Sequence, residues 1–325
     1  MKNGAFVISL DFELYWGIGD HIDYDNYKMY FDNTLKIIPE MLNLFSKYQI
    51  HCTWATVGML WNENWEEWKK NLPLILPEYQ REVLSNYQLD KRITIQNVDQ
   101  NHFFGLDLIN KINKTEGQEI GTHTYSHYYC NEENRNIDAL DADLRKAREI
   151  AEKTQNKLES LVLPRNQFVE STLQTLKENG IKSVRTNPNV WFWHLANQNN
   201  KSSRIARLVD SYSSFLMFKS YPWLHLEMKQ GVLLQPASRF LRPISKRFPF
   251  LNNLRINRIK KEMTFAAENN EIYHLWWHPH NFALEPKSAL EELEEILKHY
   301  KYLYNKFKFK SLSMNDVYQE YKKDG

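Results

Sequence analysis

Asp11 and Glu13 follow an apolar run at residues 5–10 (AFVISL). In extended chain, residues i and i+2 point the same way, so both carboxylates face one spot just past the end of that run. Two like charges there repel unless a cation or a proton relieves them. Plain solvated loop carboxylates are the alternative. His123 and His127 follow Glu119-Ile120-Gly121-Thr122. If a helical turn begins there, imidazoles four residues apart lie on one face and can share one ion. Spacing alone is weak, because the chain has 11 histidines and a second such pair exists at His274 and His278. That pair lies in a strand-like run, where four residues span about 13 Å, too far to chelate one ion. Arg165, in Leu163-Pro164-Arg165-Asn166-Gln167, follows another short apolar run and reads either as a turn arginine or as a partner for a carboxylate. His278 and His280 end the apolar run at 272–277. They read either as core histidines or as further ligands, although Pro279 and strand-like spacing argue against both binding one ion.

These groups need strands to carry them to one place. Short apolar runs at 5–10, 51–57, 119–122, 160–163, 181–185, 232–235, 272–277 and 309–312 predict strands. Amphipathic stretches at 33–47, 137–154, 171–179, 286–304 and 314–322 predict helices, the third stopped by Gly180. Repeated strand and helix implies parallel strands joined by crossovers. Seven or eight such units in about 300 residues suit a closed or nearly closed α/β barrel, in which chemistry collects at the C-terminal strand ends. An open doubly wound sheet would want a Gly-rich phosphate loop after its first strand, and none follows residues 5–10. Stretches 58–103 and 186–231 interrupt the alternation and read as insertions over one end of the barrel. No linker or repeat divides the chain, so a single domain over residues 1–325 is expected.

Composition narrows the classes. The chain of 325 residues is 42% hydrophobic and 25% charged, with a formal net charge of +2. That is ordinary globular material with no call for a nucleic-acid partner. Cys52 and Cys130 make no ligand spacing and no disulfide framework. No leader precedes residue 5 and no run of about 18 apolar residues occurs, so a cytoplasmic protein is expected. The 10 Trp and 18 Tyr are core material or flat platforms for sugar rings. Between Arg239 and Lys261 stand eight Lys or Arg and no acidic residue. Mixed with Phe, Leu and Ile, they predict either a solvated helix flank or peripheral contact with an anionic inner membrane.

Taken together, FVISLDFELYWG (6–17), TWATVG (53–58), EIGTHTYSH (119–127), LVLPRNQ (161–167) and HLWWHPHN (274–281) resemble the polysaccharide deacetylases of the NodB-homology type, carbohydrate esterase family 4. The closest likeness is to the branch that accompanies bacterial O-antigen and capsule biosynthesis. The resemblance implies a distorted, incomplete (β/α) barrel and one divalent metal ion, zinc first among candidates. It implies His123 and His127 as metal ligands, Asp11 as catalytic base, Arg165 as the arginine orienting that base, and His278 as general acid. Two departures stand out. The family's adjacent Asp-Asp is here Asp11 and Glu13 around Phe12, which assigns Glu13 to the metal. The family's Arg-Pro is here Pro164-Arg165. The implied reaction removes an N-acetyl group from a sugar that is nucleotide-linked, lipid-linked or polymeric. Asn166 or Gln167 would stand near the oxyanion, and Trp16, Tyr125, Tyr128 and Trp277 would line a sugar groove. A deformylase or other C–N amide hydrolase on the same site is one alternative. A non-catalytic carbohydrate-binding relic is another.

Overall fold

A computed structural model describes residues 2–134, 136–197, 200–213 and 219–323. Its strands are β1 (Ala5–Phe12), β2 (Cys52–Thr56), β3 (Gln118–Thr122), β4 (Ser160–Val162), β5 (Ser183–Thr186), β6 (Tyr221–Pro222), β7 (Glu227–Lys229), β8 (Val232–Pro236), β9 (Arg239–Phe240), β10 (Glu271–Trp277) and β11 (Lys310–Leu312). They form one sheet in the order β6-β10-β1-β2-β3-β4-β5-β8-β7, with β11 beside β1 and β9 beside β10. From β10 through β8 every pairing is parallel, and only the rim strands β6 and β7 are antiparallel. The sheet curls into an incomplete barrel. One run of chain crosses the gap: β8 pairs with β5, and β9 then pairs with β10. At the crossing, Ala237 N–H donates to Thr186 and Ser238 N–H to His274.

Alternation along the strands decides what enters the barrel. On β1, Phe6, Ile8 and Leu10 pack outward against the main core, while Ala5 and Val7 join the inner core. Ser9 and Asp11 continue that inner row. On β10, Tyr273, Leu275 and Trp277 face outward and Ile272 inward, so His274, Trp276 and His278 share the inner parity. The main core is closed by helices Tyr24–Tyr48, Phe250–Glu268 and Pro286–Phe307. Helix Ile137–Ala151 covers β4 and β5. Met314 and Val317 of helix Met314–Lys322 pack on Val7 and Ala55 and fill the other end of the barrel.

The first interruption, 58–103, is a set of short helical turns. It buries Trp16 against Trp65, Trp68 and Phe103. The second, 186–231, supplies helix Lys201–Tyr212 and the rim strands β6 and β7. The basic segment 239–261 is exposed in part, at Lys246, Arg247, Phe248, Phe250, Leu254 and Lys261, and buried in part. It includes most of helix Phe250–Glu268, and Arg239, Arg255 and Arg258 are buried. Arg239 pairs with Glu262 at 2.6 Å, Arg258 with Glu262 at 3.2 Å, and Arg255 with Glu292. Buried guanidinium groups require such partners, and here one, Glu262, directly follows the segment while Glu292 lies on another helix. Among the described residues no helix is long and apolar enough to cross a membrane.

Candidate active site

The C-terminal ends of β1, β3, β5 and β10 bring Asp11, Glu13, His123, His127, Arg185, His278 and His280 together. Glu13 lies just past β1, beside a short helix, Tyr15–Ile18. Its Oε2 is 3.4 Å from His123 Nε2 and 3.2 Å from His127 Nε2, and all three side chains are buried. Ligands about 2.0–2.1 Å from a tetrahedral zinc ion stand about 3.4 Å apart, so this trio fits a divalent ion. His123 Nδ1 is 2.8 Å from the Val162 carbonyl. A carbonyl only accepts, so Nδ1 carries the proton and Nε2 faces Glu13 with its lone pair free, as a metal ligand requires.

The expected helical turn at 123–127 is not formed. Thr124 and His127 take left-handed backbone angles, φ 64° and 61°, and the loop folds so that the two imidazole centroids are 5.0 Å apart. Asp143, from the helix below, holds this loop. Its carboxylate accepts from the Tyr125 N–H at 2.5 Å, the Ser126 N–H at 3.1 Å and the Ser126 hydroxyl. Burial pushes the Asp143 carboxyl up to about 6 against these donors.

Asp11 is buried and held by Arg185, not by Arg165. Arg185 Nη1 and Nη2 each donate to one Asp11 oxygen at 2.8 Å. Asn166 Oδ1 takes Nε and Nη2 of Arg185 at 3.1 and 2.8 Å, and the Ser9 hydroxyl takes Nη1 at 2.9 Å. The guanidinium lies 4.3 Å from the Trp276 ring. Burial alone would raise the Asp11 carboxyl. Arg185, with His123 and His278, outweighs it and holds the pKa below the usual aspartate value. For Glu13 burial is likewise overcome, by His278, His123 and His127, and its pKa lies well below the ordinary one. Burial lowers the His127 pKa despite Glu13.

Arg165 sits at φ 53° on the rim, 4.4 Å over the Tyr129 ring, paired with Asp20. The turn after Pro164 sends its side chain toward the loop behind β1, which is why it misses Asp11. His278, 23% exposed at its side chain, sits with Nε2 3.6 Å from Asp11 Oδ2 and 3.7 Å from Glu13 Oε1. His280 does converge on the site, contrary to the strand-like spacing argument. Pro279–Phe282 is a tight helical turn, which stacks the rings of His278 and His280 at 4.8 Å and 13°. His280 Nε2 is 3.8 Å from Glu13 Oε1, and burial, with His278, brings its pKa down to about 3.

The four aromatic residues expected to line a sugar groove are packed in the interior. Trp16, Tyr125, Tyr128 and Trp277 are buried. Trp277 has the outward parity and stacks on Phe282. Tyr125 is a hydrogen-bond partner of Asn62, and Tyr128 of Asn136. Gln167 turns toward Asn131 and Glu132. Trp276, one residue earlier, packs on His278, Phe240 and Trp193. Beyond Trp193 a cavity of about 1010 Å³ is lined by Asn187, Asn189, Trp193, His194 and Tyr221 among others. Arg185 and Trp276 were readable in principle. Arg185 ends a predicted strand, and Trp276 shares the parity of His278.

A carboxylate and two histidines thus stand at the strand ends of an incomplete barrel, beside a buried Asp–Arg pair. Comparison supplies the family. The sequence pattern of the polysaccharide deacetylases matches residues 26–184, so this segment, which holds His123 and His127, belongs to that family. Asp11, Glu13, Arg185 and His278 lie outside the matched stretch. A Mycobacterium smegmatis structure assigned as a polysaccharide deacetylase has TM-score 0.59 at 13% identity, covering 99% of this chain and 91% of its own. A Pseudomonas aeruginosa PAO1 structure with the same assignment has TM-score 0.54 at 10% identity, over 98% and 90%. A GH57-type branching enzyme from Pyrococcus horikoshii has TM-score 0.53 at 13% identity, over 98% and 70%. At these identities the likeness is one of fold. No curated protein matches the chain.

Proposed function

We propose that this chain is a metal-dependent hydrolase that removes an N-acetyl group from a sugar unit of a bacterial surface glycan. The observation that carries the reading is the buried Asp11–Arg185 pair set beside the Glu13–His123–His127 trio. Glu13, His123 and His127 would hold the ion, zinc first among candidates. Such an ion lowers the pKa of bound water toward about 7 and polarises the acyl oxygen. Asp11 is the base: ionised and fixed by Arg185, it accepts the proton of the attacking water. His278 is the partly exposed member of the cluster and donates a proton to the departing sugar nitrogen, which is a poor leaving group without one. Trp276 gives the sugar ring an apolar face, and the cavity beyond Trp193 takes the rest of the glycan.

The test is release of acetate from N-acetylglucosamine oligomers by metal-free and metal-reconstituted protein. Acetate formed only with metal supports the reading. Formate from an N-formyl sugar with no acetate would move it to a deformylase, and glycan binding with no acyl release at any metal level would make the site a relic.

A further inference from the structure

Glu13 presents its two oxygens to two different pairs of histidines. Oε2 faces His123 and His127 at 3.4 and 3.2 Å. Oε1 faces His278 and His280 at 3.7 and 3.8 Å. Each pair with Glu13 forms a group whose ligand atoms lie within 4.8 Å of one another. A carboxylate with a cation on each oxygen is the bridging arrangement of two-metal sites, whose ions stand about 3.5–4 Å apart. The second pair is also oriented for ligation. His278 Nδ1 is 3.2 Å from Asn281 Oδ1, which turns Nε2 toward Glu13. The stacked rings of His278 and His280 bring both Nε2 atoms to the same oxygen.

We propose that Glu13 Oε1, His278 and His280 form a second divalent-cation site, weaker than the first, and that filling it inhibits the enzyme. It is weaker because its nitrogen–oxygen separations exceed the tetrahedral spacing and because Glu13 is shared. Filling it occupies the Nε2 lone pair of His278, so that nitrogen has no proton to give. The inhibition rests on the proposed role of His278; the second ion does not.

The experiment titrates metal-free protein with Zn²⁺ by calorimetry and measures bound zinc after equilibrium dialysis. Two ions per chain are expected, one tight and one weak, and one only in His280→Phe, which keeps the stacked ring but has no ligand nitrogen. Deacetylation should fall on the order of 100-fold as the weak site fills, the scale of a positioned acid, and His280→Phe should lose this inhibition. One ion per chain in the native protein up to millimolar Zn²⁺ overturns the second site, as do two ions in a folded His280→Phe. If His280→Phe does not fold, the native stoichiometry decides alone. Two ions without acetate release at any Zn²⁺ level would refute the proposed function and leave the second site standing.

Discussion

Gly17→Ala is the most selective perturbation of the ion site. A Cβ at Gly17 would lie 2.0 Å from Glu13 Cδ and 2.3 Å from each Glu13 oxygen. Non-bonded carbons rest about 3.5–4.0 Å apart, so the carboxylate must retreat by roughly 1.5 Å. Metal–ligand distances tolerate only about 0.2 Å. The displaced atoms are the end of a flexible side chain, so the backbone need not move. Gly17 lies in the helical turn Tyr15–Ile18, where Ala is favoured over Gly by about 1 kcal/mol. That gain partly offsets the cost, about 1–3 kcal/mol, of parting a buried carboxylate from its partners. The chain should therefore stay folded while Zn²⁺ affinity falls about 100-fold or more, the scale of a 1 Å misplacement. Circular dichroism melts and calorimetric titration read the two effects separately. In a Glu13→Gln background Gly17→Ala should change affinity little, because both act through one side chain. Native affinity in Gly17→Ala, or an equal further loss in the double variant, would refute the reasoning.

Arg185→Met should cost about 3–5 kcal/mol in denaturant unfolding, since it leaves a buried carboxylate unpaired. With burial unopposed by the guanidinium, the Asp11 pKa rises and the acid limb of kcat/KM moves to higher pH; an unmoved limb would mean Arg185 does not poise the base. Asp11→Asn should retain the ion yet lose about 100-fold or more in turnover, and zinc analysis of the variant separates a base from a ligand. Asp143, held at about 6 against a usual 3.8, binds its proton more tightly in the folded state. It therefore adds stability as pH falls from about 6 toward 4 and loses it as pH rises through 6, by roughly 3 kcal/mol in all. Asp143→Asn should abolish that dependence in urea titrations across this range.

The strands were legible because apolar runs flanked by charge leave little choice of element, and β10 was placed to within one residue. The convergence of Glu13, His123 and His127 was legible because a carboxylate and a histidine pair past strand ends are the donors a metal would need. What could not be read was direction. The sequence pointed to Arg165, but Pro164 and a left-handed backbone turn it to Asp20, and the strand next in order delivers Arg185 to Asp11. Trp277 faces the outer core while Trp276 lies beside His278, because one residue along a strand exchanges its two faces. His280 reaches the site, against the strand-spacing expectation, because Pro279 ends extended geometry. In the basic segment, Glu262 one residue beyond it neutralises Arg258 within one helix, whereas Asp210 and Glu292 are brought to Arg239 and Arg255 by tertiary folding.

Strand order also bears on biosynthesis. β1 pairs along one edge with β2 and, at Ala5–Val7, with β11, and along the other edge with β10; β10 and β11 emerge near the end of translation. A ribosome adding about 5–20 residues per second delivers β1, β2 and β3 together with Glu13, His123 and His127 early. It then takes roughly 10–30 s more to produce β10. Throughout that interval one edge of a strand buried along its whole length has backbone groups without their final partner, the condition that invites pairing with a neighbouring chain. The nascent molecule can gather Glu13, His123 and His127 long before it owns His278. Its exposure to aggregation is set by the wait for the closing strand, and slower synthesis of residues 123–270 should lower the yield of soluble protein.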